Sequence, residues 1–141
     1  MSVNLYTADQ AKDSGWIEKY DEAVAASKKS GLPILAGFTG SDWCILCIKL
    51  HKEVFSTQEF KEWATKNVVL LELDFPHNET QDNAIKDKNE ELSKKYDIDK
   101  FPTILILDAT GNKLGELGYK AGGPKVWIEE FTKQYKAGGG K

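Results

Sequence analysis

The sequence predicts a single α/β domain, a three-layer α/β/α sandwich on a central mixed sheet. Three observations lead there. Two short apolar runs, residues 33–38 and 68–74, are separated by amphipathic stretches long enough for a crossover helix, as a parallel βαβ unit requires. A third run, residues 103–107, passes through Ala109-Thr110-Gly111-Asn112, a turn-forming tetrapeptide, into a return strand over 113–119, which makes an antiparallel hairpin. Trp127, Ile128, Phe131 and Tyr135 then recur at helical spacing and supply a closing helix.

In chain order, residues 16–30 read as the first helix. Trp16, Tyr20, Ala23, Val24 and Ser27 share one face, charges occupy the other, and Gly31 supplies the stop. Residues 33–38 follow as a buried strand. Thr39-Gly40-Ser41-Asp42 is a turn whose last residues can cap a helix that begins near Trp43 or Cys44 and runs to about Val54. Thr57 caps the next helix, with Phe60, Trp63 and Ala64 facing inward. Residues 68–74 are apolar at nearly every position, which predicts a central strand covered on both faces; Pro76 ends it. Residues 77–88 are polar and weakly patterned, expected as a surface insertion with one helical turn at most, and residues 90–96 as a short helix. The domain is expected to span residues 16–136, with 1–15 as an N-terminal extension and 137–141 as a loose glycine-rich tail.

Bulk composition excludes several roles. The 141 residues are 40% hydrophobic and 29% charged, which suits one globular core. The net charge is −3 and all 19 basic residues are lysine, so neither a global positive field nor a guanidinium fork is available to nucleic acid. No stretch is long and apolar enough to span a bilayer, and Met1-Ser2-Val3-Asn4 lacks the basic start and apolar core of a signal peptide. A cytoplasmic protein, or an exported one whose leader has been removed, would both read this way.

Chemistry concentrates at Cys44-Ile45-Leu46-Cys47, which holds the only two cysteines of the chain. Two cysteines cannot make a multi-bridge framework. Spaced this way, they can close into a small disulfide ring and reopen. They stand where a strand gives way to a helix, so the first sulfur meets unpaired backbone N–H groups and the positive end of the helix dipole. Both favour thiolate, the form that attacks disulfides. The residues themselves therefore point to thiol–disulfide exchange.

Trp43-Cys44-Ile45-Leu46-Cys47 after a buried strand, with Phe101-Pro102-Thr103 before the hairpin, resembles the thioredoxin superfamily. Phe38-Thr39-Gly40-Ser41-Asp42-Trp43-Cys44, followed by Lys49-Leu50, is similar to one branch of it: bacterial thioredoxin-like proteins related to the C-terminal domain of the membrane thiol-reductant transporters. The resemblance covers residues 16–136. It implies a thioredoxin-like fold in which Cys44 is an exposed nucleophile and Cys47 the resolving thiol that breaks the mixed disulfide. It also implies a substrate-binding surface made by Trp43, Phe101, Pro102 and Thr103. The Phe101–Pro102 bond would be cis and face the cysteines, offering the backbone of Phe101 to an extended substrate segment. Neither an organic cofactor nor a metal is expected. The implied partners are disulfide-containing proteins and an upstream electron donor, a thiol-reductant transporter or a thioredoxin system, with the protein acting as a monomer. Many members of the branch are exported, which makes the periplasm the expected compartment and the cytoplasm the alternative.

The chain also departs from the family. Many thioredoxins carry a buried aspartate on the strand before the cysteines, which shuttles the proton of the resolving thiol; that position falls on Gly37 here, with no local carboxylate to replace it. Ile45-Leu46 adds no charge or side-chain hydrogen bond to the thiolate, and Asp42 would oppose it by like-charge repulsion. With no device for strong thiolate stabilisation, reduction is favoured over oxidation. Three alternatives stay open on these residues: a thioredoxin scaffold that binds without turnover, an isomerase or oxidase, and a zinc site from Cys44, Cys47, His51 and His77.

Overall fold

In the computed structural model, residues 15–139 are described. They form helix α1 (Tyr20–Ser30), strand β1 (Ile34–Thr39), helix α2 (Ile45–Leu50) continued by a π-helical turn (His51–Phe55), and helix α3 (Gln58–Asn67). Strand β2 (Val69–Asp74), helix α4 (Asn83–Lys95), strands β3 (Thr103–Leu107) and β4 (Lys113–Leu117), and helix α5 (Gly123–Ala137) complete the chain. The sheet order is β2-β1-β3-β4. β1 runs parallel to β2 and antiparallel to β3, and β3 antiparallel to β4, so the sheet is mixed as expected.

Alternation along the strands divides the core into two layers. Leu35, Leu70, Ile104 and Ile106 face α2, α3 and α5, where they pack with Leu50, Phe60, Trp127 and Phe131. Ile34, Ala36, Phe38, Leu71 and Leu105 face Ala23 of α1 and Leu92 of α4. Each fully buried apolar side chain contributes about 1.5–3 kcal/mol, which is what holds helices of this length in place.

The structure corrects the sequence reading at three elements. Residues 16–19 are not helical: the first helix starts at Tyr20. Ile17 instead makes a parallel bridge to Leu71, donating to Leu70 O (2.8 Å) and accepting from Glu72 N (2.8 Å). That bridge accounts for the second correction. β2 lies at the edge of the sheet rather than its centre, but the Ile17 segment covers its open side, so its residues are buried throughout. Central position belongs to β1 and β3. Third, α4 begins at Asn83, well inside the expected insertion, capped by Asp82, whose carboxylate accepts from the amides of Ala84 and Ile85.

Other expectations hold. Gly31 ends α1 in the left-handed conformation, φ 77°. Thr57 caps α3 by accepting from Phe60 N, and Trp63 packs half-buried against the core.

Candidate active site

The site forms where β1 ends and α2 begins. The amides of Trp43 and Cys44 donate to Gly40 O at 3.3 and 2.9 Å, closing a tight turn above the sheet. Cys44 is itself the N-cap of α2, with extended backbone, and its Sγ accepts from the backbone N–H of Cys47 at 3.2 Å. The cap expected from the preceding turn is thus a sulfur. Cys44 and Cys47 are joined in a disulfide, their Cα atoms 5.2 Å apart. Cys44, expected to be exposed, retains 7% exposure against 2% for Cys47, because its sulfur is turned inward to the bond and the Cys47 amide.

Two carboxylates fix the turn to the neighbouring strand end. Asp42 accepts from the amides of His77 (2.9 Å) and Asn78 (2.7 Å). Burial alone would raise its carboxyl, but the amides of His77, Asn78 and Glu79 outweigh burial and hold it below the ordinary value. Its charge is therefore engaged by the 77–79 segment. Asp74, the last residue of β2, accepts from Ser41 N (2.9 Å) and Ser41 Oγ (2.5 Å). Burial, with a further push from Asp42, keeps its carboxyl raised against those bonds.

Aromatic side chains frame the disulfide. Trp43 is half-buried, donates Nε1–H to Phe75 O at 2.7 Å, and stacks on His77 with ring centroids 4.3 Å apart. Its edge contact with Phe101, at 5.6 Å, joins it to the Phe101–Pro102 segment, whose peptide bond is cis. Pro102 lines a small cavity together with Cys47. Thr103 is buried and its hydroxyl donates to Lys100 O (2.8 Å), so the side chain is committed to the turn. Ile45 and Leu46 are the exposed large hydrophobics among the described residues, 79% and 46% exposed. The structure thus gathers Cys44, Cys47, Trp43, Phe101 and Pro102 around one surface, and places Thr103 behind it.

The cavity behind Cys47 measures about 10 Å³ and is lined by Trp16, Gly37, His51, Glu72 and Pro102 among others. Burial, helped by the Lys61 charge, pushes His51 down to about 4, so its ring is neutral at physiological pH. His51 lines the cavity and His77 stacks on Trp43, and among the described residues no group of three or more His, Cys, Asp or Glu side chains could hold a metal ion. Glu72 is the residue that sequence reasoning missed. It pairs with Gly37 in the β1–β2 register, so a carboxylate stands beside the position from which it is missing. The signal was present: a lone charge in Val69-Leu70-Leu71-Glu72-Leu73, an otherwise apolar strand.

Comparison with known proteins places this geometry. Residues 20–124 match the thioredoxin-like domain family. The disulfide bond reductase DsbH of Chlamydia pneumoniae is 35% identical over 119 residues, which cover 84% of this chain and 72% of that protein. The solved structure of a DsbH oxidoreductase superposes with a TM-score of 0.81 at 35% identity, over 86% of this chain and 83% of that one. The thiol:disulfide interchange protein DsbD of Klebsiella pneumoniae is 32% identical over 100 residues, 71% of this chain but only 15% of the longer relative.

Proposed function

The chain belongs to the thioredoxin-like domain family and is a thiol–disulfide oxidoreductase, and on that premise we propose that it works as a reductase of protein disulfides through Cys44 and Cys47. The observation that carries this is the disulfide itself, set at the strand–helix junction and bordered by an apolar, exposed rim. In the reduced protein the Cys44 thiolate attacks one sulfur of a substrate disulfide and expels the other as a thiolate. Cys47 then attacks the Cys44 sulfur of the mixed disulfide, which frees the second substrate thiolate and leaves the Cys44–Cys47 bond. Two electrons pass to the substrate.

The surroundings suit this task. Ile45, Leu46 and the edge of Trp43 offer apolar contact to an unfolded or extended polypeptide, and the Phe101 backbone can pair with it. The likeness to a disulfide bond reductase and the absence of charged groups between the cysteines both support the reducing direction. Likeness to a disulfide bond reductase and a thiol:disulfide interchange protein supports disulfide-bearing partners, and we infer work in the cell envelope as a monomer, recharged by a membrane thiol-reductant transporter or a thioredoxin system. No helix among the described residues is long and apolar enough to cross a membrane. Residues 16–136 act as the working domain in this reading.

The test is twofold. Cys47→Ser is expected to trap partners as mixed disulfides through Cys44, and Cys44→Ser to trap none. The Cys44–Cys47 potential, titrated against a dithiol buffer and read by tryptophan fluorescence, is expected near or below about −230 mV. A potential near about −150 mV or higher would assign the protein to oxidation or isomerisation instead.

A further inference from the structure

Cys47 is the more deeply buried of the two cysteines, and resolution requires that its thiol lose a proton while still covered. A buried thiol cannot pass that proton straight to solvent, and Gly37 offers no side chain to receive it. The register of the sheet answers the need from the adjacent strand. Glu72 is the parallel partner of Gly37. It alternates with Leu71 and Leu73, which face the α1–α4 side, so it shares the other face with Leu70 and points toward the α2 layer. There it lines the same cavity as Cys47. At about 10 Å³ this cavity has the size of one water, and Thr39, His51 and Glu72 give it polar walls. Glu72 also borders a second, outer groove with Glu18, Asp74, Glu79 and Asp82. Glu72 therefore lines the space behind the resolving thiol and also borders a groove at the end of β2.

We propose that Glu72 accepts the proton of the Cys47 thiol during resolution. This rests on the reading of Cys44 and Cys47 as the exchanging pair. The Cys47 S–H bond breaks and its proton reaches the Glu72 carboxylate, directly or across one water. The Cys47 thiolate attacks the Cys44 sulfur, forming the Cys44–Cys47 bond. The bond from Cys44 to the substrate sulfur breaks, and its electron pair leaves with that sulfur as a thiolate. Glu72 then gives the proton up to solvent once the substrate has left. The groups that share this environment are Cys47 and His51 across the cavity, and Glu18, Asp74, Glu79 and Asp82 around the groove.

A chromogenic aryl disulfide, dithiobis-nitrobenzoate, separates the two chemical steps, because one coloured thiolate leaves when Cys44 attacks and a second when Cys47 resolves. For the reduced full chain carrying Glu72→Gln, the second phase is expected to slow roughly tenfold or more at neutral pH, with its pH dependence altered and the first phase within about twofold of wild type. Adding Gly37→Asp to Glu72→Gln is expected to restore the second phase. A Cβ at Gly37 meets its nearest neighbour, Trp16, at 3.7 Å, so the strand accepts the side chain. His51→Gln is expected to leave the second-phase pH dependence in place. An unchanged second phase in Glu72→Gln, equal slowing of both phases, or transfer of the effect to His51→Gln would overturn the assignment. Loss of the first phase in wild type would instead overturn the reading of the cysteine pair, so the two failures are distinguishable.

Discussion

The Trp43 indole occupies the space that a side chain on Gly40 would need: a Cβ there would lie 2.6 Å from Trp43 Nε1 and closer still to the ring carbons. Gly40 is also the acceptor for the Trp43 and Cys44 amides, so the same residue closes the turn and seats the ring. Gly40→Ala is therefore expected to force the indole off His77 and Phe75. Overpacking of this kind costs about 1–3 kcal/mol. Urea denaturation and tryptophan emission check it together; an unchanged midpoint with an unchanged spectrum would refute the packing argument.

Ser41 ties the cysteine turn to the end of β2 through two hydrogen bonds to Asp74, one from its backbone and one from its hydroxyl. Ser41→Ala removes the hydroxyl donor and leaves a buried carboxylate short of a partner. The expected loss is about 1.5–3 kcal/mol, the range for hydrogen bonds to charged groups. Ser41→Thr, which keeps the donor, should recover part of it. Equal stability of wild type and Ser41→Ala would show that the hydroxyl bond contributes nothing net.

These contacts also mark where the sequence was legible and where it was not. The strands and the cysteine helix announced themselves through apolar runs and turn residues, and β3 falls on the expected residues 103–107. Helix α4 did not. Its inward positions include Asn89, which is buried and donates to Asp74 O (3.1 Å), so a polar residue stands where the 3.6-residue pattern expects an apolar one. Trp16 misled in the opposite sense. Its spacing to Tyr20 suggested a helix, but the ring packs on Phe55 (centroids 5.0 Å apart) from an extended segment that pairs with β2. Glu72 stood out in the sequence as a lone charge, but its place could not be read there, because it depends on which residue of β1 lies beside it. Register is a tertiary fact.

Ile45 and Leu46 lie exposed between the two cysteines and offer a docking polypeptide apolar surface beside Cys44. A small disulfide needs no such contact. Ile45→Lys is therefore expected to raise KM for a protein disulfide about threefold to tenfold, the effect of losing roughly 1 kcal/mol of apolar contact. Turnover of a small aryl disulfide should change by less than twofold. Equal loss on both substrates would mean that the substitution acts on the cysteines themselves rather than on docking.

His51 makes stability depend on pH in a defined window. Burial, with the Lys61 charge, lowers it from 6.5 to about 4 in the folded chain. Between those values the unfolded chain binds a proton at this residue that the folded chain does not. Stability therefore rises with pH across the window: the contribution is complete above about 6.5 and lost as pH falls toward 4. Partial exposure of the ring tempers the size, so the expected loss between about pH 7 and about pH 5 is about 1–2 kcal/mol. Asp42 and Asp74 are shifted in opposite directions, the first held below and the second above the ordinary carboxyl value. The difference between wild type and His51→Gln isolates the histidine from both. Urea midpoints for the two proteins should converge as pH falls through this window, with the wild-type curve the steeper. Parallel curves would mean that the imidazole is solvated in the folded state, and that the cavity behind Cys47 is open to water on the His51 side.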